Sequence, residues 1–329
     1  HFFTCNSSVI FKIMSKISDE EEQSQFIKTG ISKFENATQG LILGATSIWT
    51  GTNGSNKSGT IGQIALNVIN SKQCKVAIFS GELPDKRFKR WLYMQASGKD
   101  HNVQKRDAYG NPMDYWETPL EVKKQINEWL GDNLYLYDNK QGYDIESVGN
   151  AISELVQSDR EVKLVFIDNL FVLGISKLSQ DKYEAQKQLL LKMTRLAQKY
   201  NIHIGFVCHP TKVKSLIRKE DVSGSSDITN VADGVYILHR NTADFKARSK
   251  EFFGWTDSYP IFEFDNIIEI AKDRENGNIE NFVGLYFEKE SKRVLNYKGE
   301  NIRYGWDKQY KQPTLKEVED DYLDGDLPF

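Results

Sequence analysis

Residues 47–69 read Ser-Ile-Trp-Thr-Gly-Thr-Asn-Gly-Ser-Asn-Lys-Ser-Gly-Thr-Ile-Gly-Gln-Ile-Ala-Leu-Asn-Val-Ile. The run Ser47-Ile48-Trp49 has the character of a short buried strand, and Ile61 to Ile69 has helical periodicity. Between them, Gly51-Thr52-Asn53-Gly54-Ser55-Asn56-Lys57-Ser58 follows the phosphate-loop pattern of Gly, four residues, Gly, Lys and Ser or Thr, with Asn56 in place of the second Gly. In such a loop, backbone N–H groups at a helix N-terminus cradle phosphates. Gly51, Asn53, Gly54, Ser55, Asn56 and Gly59 are the expected cradle. Lys57 is expected to reach the β- and γ-phosphates, and the Ser58 hydroxyl to ligate Mg²⁺. Asn is among the residues that best tolerate positive φ, so it is a physically reasonable substitute for Gly. On the residues alone, the stretch also reads as a Gly-bearing turn followed by Lys-Ser.

Further apolar runs lie at Lys75–Phe79, Leu134–Tyr137, Val162–Ile167, Ile202–Val207 and Val235–Leu238. Helix-like segments separate them: Pro119–Leu130, with Thr118 as expected N-cap and Pro119 at the first helical position, then Ile145–Val156 and Tyr183–Tyr200. Short buried strands alternating with helices predict an α/β fold with a mostly parallel sheet flanked by helices. Polar residues stand at three strand ends: Glu82 after Phe79-Ser80-Gly81, Asp168 after Ile167, and His209 after Cys208. Parallel-sheet sites form at such ends. There Glu82 could polarise water, Asp168 could support a metal, and His209 could bond a γ-phosphate. Each is also an ordinary loop residue when taken singly.

Over 329 residues the formal net charge is −3, which excludes a uniformly basic, histone-like chain. The charge is unevenly placed. Residues 1–24 hold Asp19-Glu20-Glu21-Glu22 and read as a linker or subunit-docking segment. Residues 317–329 hold six acids and no base, and end in Leu327-Pro328-Phe329. The expected units are therefore a segment 1–24, one domain over 25–312, and an acidic tail over 313–329. The body between the acidic ends is mildly basic. Three scattered cysteines argue against a zinc cluster or disulfide framework and fit a reducing compartment. No run approaches the ~20 apolar residues of a membrane span.

The ordered motifs Phe-Ser-Gly-Glu at Glu82, Val-Phe-Ile-Asp-Asn-Leu at Asp168 and Phe-Val-Cys-His-Pro at His209 resemble those of hexameric replicative DNA helicases. These are the DnaB-like, RecA-fold P-loop NTPases, and the likeness is greatest to the helicase half of phage primase-helicases and of Twinkle. The resemblance covers roughly residues 25–300. It implies a RecA-like core that hydrolyses ATP or dTTP with Mg²⁺ at the subunit interfaces of a homohexameric ring. It further implies that Arg240, in Ile-Leu-His-Arg-Asn, lies near the nucleotide. Arg274, in Lys-Asp-Arg-Glu-Asn-Gly, would be a finger acting on the neighbouring subunit, assisted by Lys272. Read from the residues alone, that last segment is only a charged turn.

The same resemblance gives two loops a role in gripping single-stranded DNA. One holds Lys177; the other holds Lys212, Lys214, Arg218, Lys219, Gly224 and Ser225. Cations neutralise phosphates and Gly/Ser backbone tracks the strand. The acidic tail is expected to dock on a replisome protein such as a DNA polymerase, with primase another implied partner. The setting is expected to be the cytoplasm of a bacterial cell, with a phage origin in view. Two stretches, 97–116 and 242–270, look longer than the motifs require, the second as an inserted hairpin, subunit contact or partner site. The same residues also fit a strand-exchange ATPase forming filaments, or a non-hydrolysing DNA-binding ring that Asn56 would permit.

Overall fold

Strands buried on both faces need apolar residues at consecutive positions rather than alternate ones. All six apolar runs form parallel strands, and all but the partly exposed edge strand at Leu134–Leu136 are buried on both faces. A computed structural model describes residues 25–81, 85–141, 144–168, 182–210, 216–222, 226–277 and 281–307. The segment 1–24, the tail 313–329, Glu82, Lys177, Lys212, Lys214, Gly224 and Ser225 lie outside the described residues.

The chain opens with β1 (Phe26–Ile27), α1 (Ser32–Thr38) and β2 (Leu41–Ile42), β1 and β2 forming a small antiparallel pair. It continues through β3 (Thr46–Gly51), α2 (Lys57–Asn70), β4 (Lys75–Ser80) and α3 (Asp85–Ser97). A hairpin follows, β5 (Val103–Arg106) and β6 (Pro112–Glu117), then α4 (Leu120–Leu130), β7 (Leu134–Leu136), α5 (Ile145–Ser158) and β8 (Val162–Asp168). Next come α6 (Lys182–Tyr200), β9 (His203–Cys208), α7 (Ser226–Val231) and β10 (Gly234–Arg240). The last elements are α8 (Ala243–Phe253), β11 (Asn266–Asp273), β12 (Asn281–Glu288) and β13 (Arg293–Leu295).

Nine of these strands form one sheet in the order β13-β12-β11-β10-β3-β9-β8-β4-β7. From β10 to β7 every pairing is parallel, and from β10 to β13 every pairing is antiparallel. β3 is therefore central, between β9 and β10. Its successive residues feed opposite cores: Trp49 joins the layer under α1–α4, and Ile48 joins the layer under α5–α7. Trp49 packs edge-on to Phe166 and tilted on Tyr236, with ring centroids 6.3 and 4.8 Å apart. Gly205 on β9 leaves room for this stack, since a Cβ there would sit 2.5 Å from the Phe166 ring.

Three local expectations are revised and one is given its form. Pro119, not Thr118, is the N-cap of α4, and the Thr118 hydroxyl donates instead to Asn102 Oδ1. The stretch 97–116 contains the exposed β5–β6 hairpin, turned through Asp107–Asn111. The stretch 242–270 is no inserted hairpin: it is helix α8, an aromatic cluster (Phe253, Trp255, Tyr259, Phe262) and the start of β11. The supposed charged turn 271–277 is a strand as far as Asp273.

Candidate nucleotide site

The loop after β3 closes onto α2 with Asn56 as N-cap at φ 66° and ψ 31°, in the left-handed region. Asn pays less than most residues for that conformation. Its side chain lies over the first turn of α2, at Gly59. A Cβ on Gly59 would fall 2.0 Å from Asn56 Oδ1, so the missing methyl makes room for the amide. At the other end of the loop, a Cβ on Gly51 would lie 2.2 Å from the Leu238 carbonyl oxygen. Asn53 and Gly54 form the exposed crest, while Ser55 is buried beneath it.

Lys57 is buried, and its Nζ donates to the carbonyls of Gly51 and Thr52 at 2.9 and 3.0 Å. The ammonium is thus held at the root of the loop, beside the backbone that would surround a phosphate. Ser58 Oγ donates to Asp168 Oδ2 at 2.5 Å. This contact unites α2 with the end of β8, 110 residues away in sequence. A hydroxyl and a carboxylate are hard oxygen donors of the type Mg²⁺ prefers, and Mg²⁺ commonly takes only one or two carboxylates when phosphates and water complete its shell. Among the described residues there is no group of three or more His, Cys, Asp or Glu suited to a metal. A two-donor site completed by phosphate is what these residues fit.

His209 follows β9 on the same edge, where Thr50 pairs with Cys208 and Asp168 with Val207. Burial pushes the Cys208 thiol up to about 12, so it stands beside the site as an inert apolar filler. Arg240 ends β10 exposed on this edge, two residues past Leu238, the partner of Gly51.

The finger residues lie elsewhere. Asp273 pairs with Gly234 and Gly234 with Ser47, so Arg274 sits at the opposite end of the sheet from the loop of its own chain. Arg274 Nη1 contacts Asp233 Oδ1 at 2.5 Å, and Nη2 donates to the Asn230 carbonyl at 2.9 Å. Lys272 Nζ donates to the carbonyls of Thr229, Asn230 and Ala232, at 2.9, 2.9 and 2.6 Å. Both cations thus serve the open carbonyls at the C-terminus of α7. Burial, then Arg274 and Lys219 nearby, brings Lys272 down to about 8.

Of the DNA-loop candidates, Arg218 departs from its expected role. Its guanidinium meets Glu269 Oε1 at 2.9 Å and lies over the Phe252 and Phe253 rings. It anchors the returning limb of the loop rather than extending from it. Lys219 is half-buried in the short turn that follows. Sequence reasoning missed Asp233 and Glu269. The available signal for Glu269 was a lone acid inside the apolar run Ile267-Ile268-Glu269-Ile270-Ala271.

Comparison with known proteins adds four findings. A family model described as the DnaB-like helicase C terminal domain matches residues 26–296. The replicative DNA helicase DnaB of Helicobacter pylori (strain ATCC 700392 / 26695) is 22% identical over 285 residues, covering 84% of this chain and 53% of that protein. This chain therefore spans about half the length of that curated relative. The ATPase domain of G40P superposes with a TM-score of 0.66 at 17% identity, covering 85% of this chain and 94% of that one. A DnaB-like replicative helicase, described with its interactions with primase, gives a TM-score of 0.64 at 17% identity, covering 85% and 65%.

Proposed function

The chain belongs to the DnaB-like helicase C-terminal domain family, and we propose that it is the nucleotide-driven motor of a replicative DNA helicase. The observation that carries this reading is the Ser58–Asp168 contact at the mouth of the loop, with Lys57 fixed at its root. It supports a reading in which the loop cradles phosphate while Ser58 and Asp168 offer two oxygens to Mg²⁺ on one sheet edge. ATP or dTTP would lie with its phosphates along 51–59. Bound Mg²⁺, held by Ser58 and supported by Asp168, would neutralise charge on the phosphates. Glu82, which follows β4 in sequence, takes the proton of the attacking water. The new bond joins water oxygen to the γ-phosphorus as the bond to the bridging oxygen breaks.

The left-handed backbone at Asn56 favours a hydrolysing loop over a non-hydrolysing scaffold, since it supplies the φ a Gly would have supplied. The position of Arg274 supports action on a neighbour, because its own loop lies at the far end of the sheet. We read the assembly as a homohexameric ring in the cytoplasm that translocates on single-stranded DNA. Lys177, Lys212, Lys214, Lys219, Gly224 and Ser225 contact the strand in that reading, His209 couples the γ-phosphate to them, and the acidic tail and primase belong to the replisome side.

A steady-state phosphate-release assay with and without oligo-dT tests the proposal. Wild type should turn over and be stimulated by the oligonucleotide. Glu82→Gln should bind nucleotide but lose on the order of 10²-fold or more in turnover, the scale of losing a positioned general base. Hydrolysis by Glu82→Gln at the wild-type rate would remove the assignment.

A further inference from the structure

After β9, the described segment 216–222 is tied to one face of the sheet. An antiparallel bridge between Pro210 and Val222 closes the base of the loop. Its returning limb is buried at Leu216, Ile217 and Val222. Ile217 and Val222 enter the core under α5–α7, and Leu216 enters the cluster beside α8. Between these apolar anchors, Arg218 meets Glu269 Oε1 at 2.9 Å. The second Glu269 oxygen lies 2.9 Å from His239 Nε2. Glu269 is fully buried, and His239 is 1% exposed. A buried charged group is costly to desolvate, and its pairing is weak evidence for a role in stability.

The position of the group gives it meaning. His239 immediately precedes Arg240 on β10. Glu269 lies on β11, three residues before Lys272 and five before Arg274. Strict alternation would put Lys272 on the opposite sheet face from Glu269. The register shifts, however: Tyr236 pairs with Ile270 and Val235 with Lys272, leaving Ala271 as an extra residue. Such a bulge re-aims the side chains beyond it. Glu269 opposes Ile237 and Lys272 opposes Val235, and both partners belong to the α5–α7 core. Glu269 and Lys272 therefore face the same side. Lys272 and Arg274 then hold the end of α7, the helix that continues from the loop.

We infer that Glu269 is a positioning residue: through Arg218 and His239 it couples the loop after β9 to Arg240 and to the Lys272/Arg274 pair. The inference rests on the motor reading above. A DNA strand displacing the loop would pull on Arg218. Through Glu269, that pull would bear on the strand whose far end carries the finger cations. The ion pair would then transmit DNA occupancy to the nucleotide site and would not itself touch nucleotide.

The test measures phosphate release by the full chain with and without oligo-dT for wild type, Glu269→Gln and the double variant Glu269→Met/His239→Leu, which replaces the buried polar pair with apolar side chains. Cooperative thermal unfolding of each variant confirms folding. Glu269→Gln should keep its DNA-free rate within about twofold while the stimulation ratio falls at least about fivefold, the lower range of measured coupling. The double variant, if Glu269→Gln fails to fold, should show the same split. Wild-type-like stimulation in a folded variant overturns the inference, as does an equal fall in both rates, which a merely structural residue would give. A wild-type protein without turnover overturns the motor reading, and the inference with it; turnover without stimulation overturns the coupling alone.

Discussion

At Asn56 the backbone conformation and the side chain make separate demands. The left-handed φ of 66° is open to Gly at no cost and to Asn at small cost, whereas Ala would incur roughly 1–2 kcal/mol. The side chain needs the space that Gly59 leaves. These demands make the two positions interdependent. Gly59→Ala alone should disturb the loop, because its methyl meets the Asn56 amide, whereas Gly59→Ala in an Asn56→Gly background should be nearly silent. Nucleotide affinity and unfolding midpoints of the two singles and the double check this. Additive effects would mean that the two residues do not share space. The consequence for reading the sequence is direct. Asn56 departed from the phosphate pattern in a way its tolerance of positive φ explained, but its spatial partner three residues on was visible as a Gly and not recognisable as the space an Asn side chain requires.

Among the elements, β9 shows how a buried strand can carry a titratable group. His203 Nδ1 lies 2.8 Å from the Ile42 carbonyl, which accepts, so Nδ1 carries the proton. Nε2 then accepts from Ser47 Oγ at 2.8 Å, and that hydroxyl accepts from Trp49 Nε1 at 3.0 Å. Burial pushes the imidazole down to about 4. Its folded value is below the unfolded value of about 6.5, so the neutral ring contributes stability that is full above pH 6.5 and is lost as pH falls through 4. The full effect is about 3 kcal/mol, and His203→Gln should flatten the stability slope between pH 6.5 and 4 in urea titrations. An unchanged slope would place the acid sensitivity elsewhere.

The element scale also shows what the sequence made legible. Five of the six parallel strands were readable because burial on both faces leaves continuous apolar runs, the sixth, β7, being a partly exposed edge strand, and α2, α5 and α6 because one face of each is apolar. β11 was not readable as a strand through Asp273, because Glu269, Lys272 and Asp273 break its apolar character and their partners lie about 30–50 residues upstream. Arg218 was misread for the same reason: a basic loop residue looks free until its buried acid is located. Among the candidate site residues, the loop and Asp168 were legible because strand ends converge on one edge of a parallel sheet.

At the scale of the whole molecule, the sheet sets the 51–59 loop and Arg274 at opposite ends of its strands. Leu238 pairs with Gly51 at the loop edge, and Gly234 pairs with Ser47 and Asp273 at the finger edge. Three residues of strand lie between, four rises or about 13 Å, and the Arg274 guanidinium contacts Asp233. Arg274 is 53% exposed in its pair with Asp233, and such surface pairs contribute only about 0–1 kcal/mol, so a neighbour's phosphates could outcompete Asp233. If each site combines one subunit's loop with the next subunit's finger, two dead variants should complement each other. Lys57→Ala lacks a working loop and Arg274→Ala lacks a working finger, and each alone should show little turnover. In an equimolar mixture that exchanges subunits, about a quarter of interfaces would pair an intact loop with an intact finger, and activity should recover to about that fraction of wild type. Recovery to that level requires the arginine to act across the interface, whereas a mixture as inactive as its components would place Arg274 at its own chain's nucleotide or away from catalysis altogether.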